Sequence, residues 1–143
     1  MPVAVDAAHP ALLDGGRRGS GSEQAELLVR LIEEVNLTTE QMTVDLDFQQ
    51  SLSQLFTLLP YGQLILEQAE LAEVEPDIVD LVFETLVRDF SATAIELHGK
   101  SSSTTGQQRW ALGSVRKPIV DEARDDRVYA EVRALSGAYV MPA

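Results

Sequence analysis

The chain has 143 residues, 45% of them hydrophobic and 24% charged, and it contains no cysteine. That length and composition fit one globular domain with a core of its own. The lack of cysteine excludes disulfide frameworks, thiolate metal sites and thiol nucleophiles.

The net charge of −12 divides into −14 over residues 1–99 (4 bases, 18 acids) and +2 over residues 100–143 (7 bases, 5 acids). An acidic balance of this size repels phosphate backbones, so nucleic acid is not an expected partner. The N-terminal text MPVAVDAAHPALLDGGRR has neither a basic start nor an unbroken apolar run, and no secretory leader is read there. No apolar stretch approaches the roughly 18–20 residues that span a bilayer, so no membrane partner is expected either. The expected location is the cytoplasm.

Residues 1–21 hold Pro2, Pro10, Gly15, Gly16, Gly19 and Gly21 without a hydrophobic period, and read as a flexible N-terminal arm. A single helical domain is expected over 22–143. Its first helix starts near Ser20 or Ser22 and carries Leu27, Leu28, Leu31, Ile32 and Val35 at helical spacing, ending around Asn36. Thr38 with Gln41 forms a second capping pattern. It opens a stripe of Met42, Leu46, Phe48, Leu52, Leu55, Phe56 and Leu59. Tyr61–Leu71 continues as helix beyond Pro60. The preferred reading is one long helix kinked at Pro60, the alternative being two helices that meet there.

Glu75–Pro76–Asp77 is a helix start, with proline in the first turn and carboxylates at the positive end of the dipole. Ile78, Leu81, Val82, Thr85, Leu86, Phe90, Ile95 and Leu97 give a wide apolar face, and Gly99 is expected to stop the helix. Residues 100–106 (KSSSTTG) read as a polar loop. A helix around Gln107–Arg116 carries Trp110 and Leu112, before Pro118. Asp121 caps a last helix whose Ala123, Val128, Val132 and Leu135 are expected to face inward, with Gly137 closing it. The expected fold is all-α, a bundle of about five helices.

Few residues suggest chemistry. HGKSS at 98–102 contains the Gly-Lys-Ser of a phosphate loop. However, Ala94 stands where that loop needs its first glycine, and a helix precedes the segment where a strand is required. His98 has Ile95 where a di-iron bundle needs glutamate, and Asp45 and Asp47, two apart, point to different sides of a helix. The hydroxyls Ser101–Thr105 have no recognisable base or oxyanion motif and suit loop and capping duty. Ser51, in a Gln-Ser-Leu context, departs from the Asp-Ser-Leu of a carrier-protein attachment site. Glu84 and Arg88 read as a surface i, i+4 pair. No catalytic, cofactor-binding or metal-binding residue is assigned. Phe56, Tyr61 and Trp110 are the candidates for a pocket or an interface, the tyrosine and tryptophan because their polar tips need a partner or an edge.

Three phrases carry a resemblance: VDLDFQQSLSQLFTLLPYGQLILEQAEL, LVRDFSATAIELHGKSSST and WALGSVRKPIVDEARDDRVYAEVRALSGAYVMP. Together, over roughly residues 44–143, they resemble the C-terminal helical region of actinobacterial acyl-CoA dehydrogenases. The resemblance implies a helical, self-associating tail or an isolated subunit. It carries over no catalytic or flavin-binding residue, because the Tyr-Glu-Gly-Thr segment that holds the base in many members is missing. FAD would be expected only if a larger, acyl-CoA dehydrogenase-like partner completed its site.

The expected function is a non-catalytic assembly or partner module that pairs as a homodimer. The motive is the supply of apolar surface on Phe48–Leu71 and Ile78–Leu97, broader than one small bundle needs. The alternatives are a small helical enzyme or acyl-ligand binder with an apolar pocket, and an incomplete subunit of a heteromeric flavin-dependent acyl-CoA dehydrogenase.

Overall fold

The computed structural model describes residues 32–33 and 35–138. The arm expected over 1–21, the start and most of the first expected helix, and the last five residues lie outside the described residues. Positions 32, 33 and 35 are helical, and Asn36 then takes a left-handed φ of 41°, which turns the chain. Five helices follow among the described residues: α1 (Thr39–Thr43), α2 (Leu46–Leu71), α3 (Pro76–Gly99), α4 (Thr105–Ser114) and α5 (Glu122–Ala134). No strand occurs among the described residues, and the fold is all-α.

The expected helix from Thr38 onward is two helices. Thr38 does cap α1 through a reciprocal box with Gln41, but the chain breaks at Val44 (φ −124°, ψ −37°). Asp45 then caps α2 by accepting the Phe48 N–H at 2.9 Å. The apolar stripe concealed this break, because an aspartate inside a helical pattern can equally start a new helix. The break turns Gln41 into the core, while Met42 and Leu46 stay 61% and 74% exposed. Beyond it α2 is continuous through Pro60, so one helix crosses the proline.

α2 and α3 form an antiparallel pair joined by a tight turn at Glu73, whose φ is 51°. Phe48, Leu52, Leu55 and Leu59 of α2 pack with Phe83, Leu86, Val87, Phe90 and Leu97 of α3 in one apolar cluster. Val79 and Ala94 of α3, Trp110 and Ala111 of α4, and Val35 complete it. Gly62 sits where the two long helices approach closely, beside Leu86 and Phe83.

Pro76 starts α3 as expected. The helix ends at Gly99, though not through a left-handed glycine: Lys100 turns extended (φ −67°, ψ 139°), and the Ser103 hydroxyl donates to the Leu97 carbonyl. α4 begins and ends two residues earlier than expected, because Thr104 is its N-cap and pairs with Gln107 in a second capping box. In α5, capped by Asp121, Val128 is buried, whereas Ala123 is exposed and Val132 and Leu135 are more than half exposed. The side chain buried beside Val128 is that of Arg124, drawn in by Glu84 of α3.

Candidate interaction face

The three aromatic candidates occupy different layers. Trp110 belongs to the core cluster and is 8% exposed, Phe56 packs partly buried against it, and Tyr61 stands 53% exposed on the outside of α2. Two of the clefts are formed by described residues. One, of about 520 Å³, lies between α2 and α3 and is lined by Gln50, Ser53, Gln54, Thr57, Leu58, Asp89, Ala92 and Thr93. The other, of about 590 Å³, is lined by Thr38, Glu40, Val44, Asp45, Ser101 and Ser102. None of the three aromatics lines either cleft.

The outer side of α2 has a more distinctive pattern. Leu46, Gln50, Ser53, Thr57, Tyr61, Leu64, Gln68 and Leu71 follow one another at intervals of three and four, and all are exposed. These intervals place them on one face of the helix, opposite the core-facing Phe48, Leu52, Leu55 and Leu59. The face runs the length of a 26-residue helix, about 39 Å at 1.5 Å per residue. It carries no charged residue, although the chain is 24% charged. Of the exposed charges of α2, Asp47 and Glu67 flank this face and Glu70 lies round toward the core side, while Asp89 of α3 borders it across the cleft that Gln50, Ser53 and Thr57 help to line. The hydroxyl of Thr57 donates to the Ser53 carbonyl at 2.8 Å, which satisfies it within the helix.

The polar motifs have structural roles. Lys100 of the phosphate-loop-like segment binds Asp47 at 2.7 Å. His98 lies in the last turn of α3. The Asp45 carboxyl lies below its ordinary pKa, held there by the adjacent Ser102 hydroxyl and by the Phe48 N–H. Ser51 is 2% exposed inside α2, which leaves no room for an attached carrier group. Among the described residues no cluster of three or more His, Asp or Glu side chains could hold a metal ion.

Two buried polar arrangements escaped the sequence reading. Gln41 and Gln107, each 1% exposed, pair side by side under the two capping boxes. The repeated text TTEQ at 38–41 and TTGQ at 104–107 was the available signal. Glu84, read as a surface partner of Arg88, is 8% exposed and bridges two arginines: Arg88 at 2.8 Å and the buried Arg124. The pairing with Arg124 spans 40 positions, and no local pattern marks it.

No protein-family description matches the chain, and comparison with curated proteins and with solved structures finds no match.

Proposed function

We infer that this chain is a non-catalytic helical assembly module that pairs with a second copy through the outer face of α2. The observation that carries the reading is the long, exposed, uncharged stripe from Leu46 to Leu71. Two copies of net charge −12 repel at long range, and they touch at least cost along a stripe that itself carries no charge, with Glu67 and Asp89 at its margins. A two-fold pair of identical helices is the commonest way to cover such a face.

Antiparallel pairing suits the residue order. With Leu46 opposite Leu71 of the second copy, Ser53 falls opposite Leu64, so a small side chain meets a large one on each side of the axis. The axis itself passes between Thr57 and Pro60, where the side chains are compact. The resemblance to the helical end of acyl-CoA dehydrogenases, whose matching phrases begin at the start of α2, agrees with such a role and is part of this proposal.

The missing cysteines make a clean test. Thr57→Cys, near the axis, should give a covalent dimer on mild oxidation, whereas Leu71→Cys, at the far end, should not link to itself. Linking of both variants would mean parallel pairing, in which each residue of the face meets its own copy. Failure of both to link would remove α2 as the contact.

A further inference from the structure

α5 is attached differently from the other helices. It packs on α3, yet its buried residues are only Arg124 and Val128, and Val128 lies outside the apolar cluster that unites α2, α3 and α4. The attachment is chiefly ionic. The Arg124 guanidinium, with 8% of its side chain exposed, binds the Glu84 carboxylate of α3 and also Asp125 at 2.9 Å. One turn on, Arg127 grips both oxygens of Asp77 at 2.7 and 3.1 Å.

The chain entering α5 is divided into an anchor and a free span. The Ser91 hydroxyl of α3 donates to the Arg116 carbonyl and accepts the Arg116 N–H, both at 2.8 Å, which fixes the chain at that residue. The next five residues, Lys117 to Asp121, have no helical structure, and Ile119 and Val120 are 65% and 57% exposed. Five extended residues reach about 16 Å.

We propose that α5 is an ionic latch: a helix that undocks from α3 as a unit about the Lys117–Asp121 hinge, uncovering Glu84 and Asp77, while α2, α3 and α4 stay folded. Undocking leaves the core cluster whole, because α5 supplies none of it. It exchanges one buried valine and two arginine–carboxylate links for solvent. A free helix of 13 residues is marginal in water, so its backbone hydrogen bonds open as soon as it leaves α3. The latch is independent of the α2 pairing proposed above.

Hydrogen exchange on the full chain tests it. The amides of α5 should be less protected than those of α3 facing Phe48 and Leu55. Glu84→Gln should lower α5 protection alone, on the order of 100-fold, because Arg124 loses the buried carboxylate that ties it to α3 and keeps only Asp125 of its own helix. Asp77→Asn, in the more exposed pair, should move α5 in the same direction by a smaller factor. If either variant loosens α2 and α3 in parallel with α5, or if neither changes α5, the latch does not exist.

Discussion

Gln41 and Gln107, 66 positions apart, join their side-chain amides head to head, each Nε2 donating to the other's Oε1 at 2.9 Å. Each Oε1 also accepts the N–H of its own capping threonine, Thr38 at 3.1 Å and Thr104 at 2.9 Å. The remaining Nε2 hydrogens go to the Ser102 carbonyl at 2.7 Å and the Val35 carbonyl at 2.6 Å. Two helix starts, a loop and the end of the preceding helical segment thus share one buried network in which every amide group is satisfied.

That network predicts a large penalty for a conservative change. Gln107→Leu keeps the volume but strands the Gln41 amide and the Val35 carbonyl in the core. A cost of about 3 kcal/mol is expected, since each orphaned buried group costs roughly 1–3 kcal/mol. Urea unfolding of Gln41→Leu, Gln107→Leu and the double variant should show coupling of at least about 1 kcal/mol. Additive single effects would mean that the pair is incidental.

Asp45 gives a prediction with a defined pH direction. Its carboxyl is held below the ordinary value of 3.8 by the Ser102 hydroxyl and the Phe48 N–H. The stability it contributes is therefore complete above about pH 4 and is lost as pH falls through the lowered folded pKa. Asp45→Asn, which keeps a cap, should be less stable than wild type at pH 6 and approach it in acid. A wild-type advantage that persists unchanged to about pH 2 would rule out this assignment.

Gly62 separates helix propensity from packing. A Cβ there would lie 3.6 Å from both Leu86 Cδ1 and Phe83 Cε1, an ordinary contact distance. Gly62→Ala should therefore fold normally and gain up to about 1 kcal/mol from propensity. Gly62→Leu should lose about 1–3 kcal/mol, because the two long helices would have to separate. Thermal melts of the two variants should move in opposite directions.

The helix starts at Thr38, Pro76 and Asp121 were legible because capping is decided within four residues. The break at Val44 was not, since periodicity alone cannot tell a mid-helix aspartate from a new N-cap. In α5 the 3.6-residue pattern pointed to Val132 and Leu135, but tertiary contacts chose the Arg124 face, and they depend on Glu84 being inside. Of the aromatic candidates, Trp110 belongs to the core and Tyr61 to the outer face of α2. Apolar periodicity does not mark that face, because its distinguishing property is absence of charge over eight spaced positions and not hydrophobicity.

The pairing of two copies through α2 is tested most directly by sedimentation of the full chain at low micromolar concentration, in about 0.1 M and about 1 M salt. Wild type should sediment as a dimer in both, unchanged or tighter at high salt, where the repulsion between acidic surfaces is screened. Leu64→Glu, which places a carboxylate on the face opposite Ser53, should give a folded monomer. A wild-type monomer under both conditions, or a Leu64→Glu variant that remains dimeric, would contradict the account.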